Sequence, residues 1–290
     1  MQKKYKLTDK SIRINDKELY RIRAIMSFGN VSEGDLGGYV ENESNLEHFG
    51  NAWVYGNAKV SGNAKVYGDA KVYGDAEVSG NAEVAGNAEV AGDAKVYGDA
   101  KVSGNAWASG NAKVSGNAKV SGNAWVYGNA WVYGNAKVSG NAKVSGNAWA
   151  SGNAEVSGDA KVSGNAWASG NAKVSGNAEV SGNAWASGNA EVSGNAEVSG
   201  NAEVFGNAEI KNQSDYAVAQ GFGSEFRATT FYRTKNGGIG VVCGCFCGTL
   251  KEFREQVQKT YPEDKKGKEY LALANLMEYH FQGPDEKKER

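Results

Sequence analysis

Ala130-Trp-Val-Tyr-Gly-Asn-Ala-Lys-Val-Ser-Gly-Asn-Ala142 contains the whole architecture of this chain in miniature. Six residues pass and the pattern returns: an aliphatic anchor, a variable residue, Gly, Asn or Asp, Ala, and a second variable residue. The anchor recurs every six residues from position 54 to position 210, 27 times without interruption. Ala and the anchor alternate with variable side chains, a period of two that belongs to a strand with one buried and one outward face. Gly-Asn or Gly-Asp then breaks each strand, because these residues tolerate the positive φ of a corner. A strand this short cannot stand alone. It has to stack on copies of itself, with the Ala and Val face turned into a common interior.

The rest of the composition narrows the field. The chain has 290 residues, of which 40 are Gly and only 2 are Pro, so neither collagen nor ordinary low-complexity disorder fits strictly phased glycine and aliphatic positions. Net charge is −1, without the basic surplus by which a protein neutralises nucleic-acid phosphates. No apolar run reaches the roughly 18 residues of a membrane span, and the N-terminus lacks the apolar core of a secretion signal. Three cysteines within five residues are not a disulfide framework. The expectation is a cytoplasmic protein with no nucleic-acid or membrane partner.

The unit Val-x-Gly-Asn-Ala-x resembles the hexapeptide repeat of left-handed parallel β-helices, the fold of many bacterial acyltransferases and of the γ-class carbonic anhydrases. That resemblance covers Gly50 to Ile210. It implies an all-β solenoid of nine triangular coils, 18 residues to a coil, and it is the resemblance alone that implies the left hand, since crossovers between parallel strands otherwise favour the right. The expected organisation is a β-rich N-terminal cap over residues 1–50, the repeat over 51–210, a small ββαα capping domain over 211–282, and a disordered charged tail over 283–290.

The caps follow from the need to close the open ends of a stack. Ser11 to Ile14 and Leu19 to Ile25 alternate around a turn at Asn15-Asp16, and Gly34 to Leu46 reads as irregular first hexads. Toward the other end, Phe226 to Thr234 and Gly238 to Phe246 form a hairpin about Asn236-Gly237. Thr249 and Glu252 form a capping box opening a helix with Leu250, Phe253 and Val257 on one face. A second helix is expected from Lys266 to Phe281, with Tyr270, Leu273, Ala274, Met277 and Phe281 on its apolar stripe. The segments Ile22 to Val40 and Val242 to Phe253 resemble parts of uncharacterised bacterial and prophage Gly-Asn-Ala repeat proteins.

Chemistry is sparse in this sequence. Hexapeptide acyltransferases use a His base and γ-carbonic anhydrases hold zinc with three, but this chain has two histidines, His48 and His280, and none in the repeat. Three His ligands are impossible, and the repeat also lacks the loop insertions that build acyl-CoA pockets. No catalytic residue, metal or cofactor is assigned, and an acyl-CoA-dependent acyltransferase related by fold is the alternative. Cys243, Cys245 and Cys247 are expected on one face of a strand, as thiols packed beneath the helices, with metal or redox duty as the competing reading.

The candidate surface is aromatic. Trp131, Trp149, Trp167 and Trp185 are spaced by 18, as are Trp107 and Trp125, with Trp53 in the latter column. Each precedes its anchor and is expected to point outward; the third face carries charges only. Such columns can stack merely to stabilise the sheet, dock a protein partner or a second copy (a trimer, in the style of hexapeptide proteins), or bind a glycan. Ice binding lacks the expected Thr-x-Thr ranks. The anchors Ala150, Ala168 and Ala186, beneath three of these Trp, have no evident reason. The leading expectation is a non-enzymatic scaffold or interaction module of phage or prophage type.

Overall fold

The computed structural model describes residues 2–14 and 16–282 of the chain. Its body is a three-sided parallel β-solenoid. The strands run from β4 (Trp53–Val54) to β30 (Glu209–Ile210), one per hexad, and each but the last three pairs in parallel with the strand 18 residues on, as Lys101 and Val102 do with Lys119 and Val120. Three sheets result, one per face of the prism. The rungs are tied along the axis by regular backbone bonds: Lys119 N–H donates to Ala136 O at 2.9 Å, Ser121 N–H to Val138 O at 2.9 Å, and Asn123 N–H to Gly140 O at 2.8 Å.

Every anchor and every repeat Ala from Ala52 to Ile210 is at most 1% exposed, so the interior is a continuous rod of small aliphatic side chains. Each buried Val contributes on the order of 1.5 kcal/mol relative to exposure. Corners are held by a second device. Asn side chains donate from rung to rung, as in the run Asn111, Asn129, Asn147, Asn165, Asn183 and Asn201, with spacings of 3.0–3.1 Å at its first two steps.

An irregular coil precedes the regular ones. β3 (Leu36–Val40) pairs in parallel with Lys59–Val60, and Leu46 bridges to Val66, so these contacts span 20 residues in place of 18. The irregular hexads from Gly34 to Leu46 therefore form a first turn, lengthened by two residues between Leu46 and Val54. Asn45 anchors it from within, its buried amide donating to Gly62 O and Ala64 O at 2.9 Å each. β1 (Tyr5–Ile14) and β2 (Lys17–Ala24) form an antiparallel hairpin that continues the same sheet past β3. Asp16 takes φ +63° at its turn; Asn15 lies outside the described residues.

The far end is closed by a four-stranded antiparallel sheet and two helices. The strands are β31 (Tyr216–Ala219), β32 (Thr229–Arg233), β33 (Ile239–Cys243) and β34 (Phe246–Thr249). Alternation along β32 and β33 sends Tyr232 and Val242 into the end of the solenoid core. Phe231 and Val241 point the other way, toward α1 (Leu250–Thr260) and α2 (Lys265–His280). The sheet is thus a lid with two apolar faces. Thr249 caps α1 through a reciprocal box with Glu252, and the expected stripes of both helices are buried. The expected ββαα unit is in fact ββββαα: Tyr216–Ala219 adds an outer strand beside β32, and the run expected as one strand from Gly238 to Phe246 turns at Gly244 into β34. The tail expected over 283–290 lies outside the described residues.

Candidate interaction surface

The six-residue period places the residue before each anchor on the outside, and the 18-residue coil stacks those residues into columns. Trp131, Trp149, Trp167 and Trp185 occupy successive rungs of one face, in register. Trp107 and Trp125 are neighbours on a second face. The third face carries Lys and Glu alone, some paired across rungs, as Lys101 with Glu83 at 3.0 Å and Lys137 with Glu155 at 3.1 Å. Exposed pairs of this kind contribute up to ~1 kcal/mol each.

Trp53 departs from expectation. It is 1% exposed, not an outward-facing member of the second column. The N-terminal segment folds over it: Tyr5 and Phe28 meet its ring edge-on at 6.0 and 5.4 Å. Lys4, 2% exposed, closes the same region by donating from Nζ to the carbonyls of Phe49, Gly50 and Ala52 at 3.2, 3.1 and 2.9 Å. Trp53 is part of the cap's core. It drops out of the candidate surface for the simple reason that the cap covers the rung on which it stands.

The four-Trp column is continuous. Trp131 and Trp149 stack 5.2 Å apart at 4° between planes, and Trp149 and Trp167 stack at 4.6 Å and 5°. Trp185 turns edge-on to Trp167 at 5.0 Å, donates from Nε1 to Ser169 Oγ at 3.1 Å, and meets Phe205 edge-on at 5.3 Å. At the other end the Lys113 ammonium lies 4.2 Å from the Trp131 ring centroid, a cation–π contact. Trp167 is 36% exposed and Trp125 42%. On the second face Trp107 and Trp125 stack at 5.1 Å, with the Lys143 ammonium 5.5 Å from the Trp125 ring.

This geometry restricts the chemistry. Trp131, Trp149 and Trp167 are stacked on each other and so use up the faces between them, which leaves a sugar ring no room to stack within that run, whereas Trp185 stands across it. The Ala anchors beneath Trp149, Trp167 and Trp185 are fully buried, and Val132 beneath Trp131 shows that an indole admits Val under it. Nothing in the packing explains the exchange.

The remaining reactive groups do not assemble. Cys243 ends β33 and Cys247 lies in β34, joined by a tight turn at Gly244 and Cys245, where Gly244 takes φ +59°. The expected single strand is a hairpin. Cys243 packs partly against the helices and accepts from Thr229 Oγ1 at 3.2 Å, whereas Cys245 and Cys247 are exposed. The three thiols are therefore not a buried cluster. Cys243 and Cys245 border a hollow of about 330 Å³ with Arg227, Tyr261 and Tyr270, a feature that sequence reading did not find.

His48 stacks on Tyr5 at 4.4 Å, and its Nδ1 accepts the Lys4 backbone N–H at 3.3 Å. That bond assigns the neutral tautomer with the proton on Nε2, which is buried, lacks a hydrogen-bond partner and lies 4.0 Å from the Glu43 carboxylate. Burial lowers the imidazole pKa, against the opposing pull of Glu43. A ring in this tautomer cannot take a proton from an acceptor substrate at Nε2. His280 is exposed at the end of α2. Among the described residues no group of three or more His, Cys, Asp or Glu is placed to hold a metal ion, and no helix is long and apolar enough to cross a membrane.

The architecture defines a parallel β-solenoid repeat protein. In agreement, the family model described as YdcK Beta solenoid repeat matches residues 118–134, nearly one coil that includes Trp125 and Trp131. No curated protein matches the chain.

Proposed function

We propose that this protein is a non-catalytic, rigid β-solenoid of the left-handed hexapeptide type, a scaffold or interaction module that docks protein through its aromatic face. One observation carries the proposal: Trp131, Trp149, Trp167 and Trp185 form an unbroken, partly exposed column on a flat face, continued by Phe205. A contiguous apolar stripe of this kind is a common mark of an interface, and Trp is enriched at the energetic centre of interfaces. The shorter Trp107–Trp125 pair is a secondary contact on the neighbouring face. The occupant is a protein partner or another copy of the chain, in the cytoplasm, and the docking needs no cofactor. The likeness of Ile22 to Val40 and of Val242 to Phe253 to prophage segments supports a phage or prophage type. Acyl-CoA-dependent transfer, the alternative that the fold resemblance suggests, finds no base in His48.

The test is to replace Trp131, Trp149, Trp167 and Trp185 together with Ser. The expected result is a lower mass in solution by light scattering or loss of partner capture. If both are unchanged in a variant that keeps its far-UV circular dichroism, the interface reading is wrong. Titration of the intact protein with acetyl-CoA in a calorimeter checks the alternative, and saturable micromolar binding would overturn the non-catalytic reading.

A further inference from the structure

The four-Trp column is bracketed by opposite charges. On successive rungs of this face stand Lys113, Trp131, Trp149, Trp167, Trp185 and Glu203. Next along, Lys95 is already engaged by Glu77, as is Lys59. Among the described residues Lys113 and Glu203 have no ion-pair partner. Lys113 rests on the Trp131 ring, and the Glu203 carboxyl is held above the ordinary carboxylate range by burial, with no cation to offset it. A half-buried carboxylate and an ammonium, each lacking a counter-ion at opposite ends of an apolar stripe, are complementary to the same stripe turned end for end.

Resting on the docking role of this face, we propose that its occupant is a second copy of the chain packed antiparallel. In that dimer Lys113 of each copy meets the partner's Glu203. A two-fold axis between Trp149 and Trp167 produces this pairing at both ends at once and lays the two Trp columns against each other. Such an isologous contact closes on itself. A parallel arrangement about the same face keeps every residue level with its own copy, setting Lys113 against Lys113 and Glu203 against Glu203, which costs association. The second face does not offer the same match. A two-fold axis between Trp107 and Trp125 sets Lys71 against Lys161, and its one acid next to the pair, Glu89, is already bound by Lys71 at 3.4 Å.

Charge reversal and zero-length crosslinking test the pairing in the full-length protein. Lys113→Glu and Glu203→Lys should each weaken the dimer by about tenfold or more, since each places two like-charge contacts in it. The double variant Lys113→Glu/Glu203→Lys should restore association, and so should an equimolar mixture of the two single variants, by forming the heterodimer. Carbodiimide treatment of the unmodified protein should yield a Lys113–Glu203 crosslinked peptide in the dimer fraction. Within one chain these residues are five rungs apart, about 24 Å, too far for a zero-length bond. A dimer that depends on the Trp residues but ignores the charge reversals, or lacks that crosslink, overturns the antiparallel pairing and leaves the docking face intact. A protein that is monomeric throughout overturns self-association. A partner captured by the Trp column without self-association assigns the face to another protein.

Discussion

The Lys4 ammonium donates to the carbonyl of Ala52 at 2.9 Å, and in doing so it ties the first residues of the chain to the first regular rung of the solenoid. The same ammonium reaches the carbonyls of Phe49 and Gly50, and it lies 4.8 Å from the Phe28 ring. A cation buried to this degree is costly unless its donors are used, and here they are. Lys4→Met should cost roughly 1–3 kcal/mol, because the carbonyls lose their donor while the site stays buried. Urea denaturation followed by Trp fluorescence checks this, with Lys6→Met, at an exposed position two residues on in β1, as a control expected to change little.

His48 gives the N-terminal cap a dependence on acid. Burial holds its folded pKa below 6.5, with Lys3 and Lys4 adding to the lowering and Glu43 opposing it. As pH falls below 6.5 the unfolded chain takes up a proton that the folded cap resists, so this contribution to stability falls until the folded pKa is passed and then levels off. His48→Asn keeps an acceptor for the Lys4 N–H and cannot titrate. Thermal unfolding between pH 7 and pH 5 should show a decline in the parent that is smaller in this variant; equal slopes would remove His48 as the cause.

Gly140 shows why the corners admit no side chain. It takes φ +69°, and a Cβ there would stand 2.9 Å from the backbone N and O of Gly158 on the next rung. Gly237, in the β32–β33 turn, takes φ +75° with nothing within 4 Å. Gly237→Ala should therefore cost only the conformational strain, about 1 kcal/mol. Gly140→Ala should cost more, by on the order of a further 1–3 kcal/mol, because two rungs must move apart. Similar midpoints for the two variants would mean that the rungs relax freely.

The corner ladders predict an asymmetry between Asn and Asp. Asn129 accepts from Asn111 at 3.1 Å and donates to Asn147 at 3.0 Å. A carboxylate can accept but not donate. Asp159 is a natural instance, accepting from Asn141 at 2.8 Å. Asn129→Asp should lose the bond to Asn147 and about 0.5–1.5 kcal/mol, and Asn129→Ala should lose both bonds. Differential scanning calorimetry at pH 7 ranks the variants; an Asp variant as costly as Ala would mean that the retained bond contributes nothing.

Much of this structure was legible because the repeat encodes it locally and many times over. Period two within a hexad sets which side chains point inward, and the spacing of Trp131, Trp149, Trp167 and Trp185 carries period 18 in the sequence itself. The capping box at Thr249 and Glu252 placed α1 for the same reason: the signal lies within one turn of helix. Less was legible where the residues that meet are far apart in sequence. Lys4 and Phe28 carry no periodicity that marks them as a cover for Trp53. The turn at Gly244 is marked only by its glycine, whereas the three cysteines alternate as a single strand would, an alternation the chain abandons between Cys243 and Phe246.

By itself, the sequence determined the parallel stack, its interior of Ala and Val, its corners and the columns on its faces, because each depends on residues a few positions apart and is repeated on every rung. Tertiary structure decided which Trp are covered and how the indoles tilt. It also decided where the Cys hairpin folds and which charges are left unpaired. Those outcomes depend on what lies across a rung or beneath a cap, and packing between distant segments is not written in any local period.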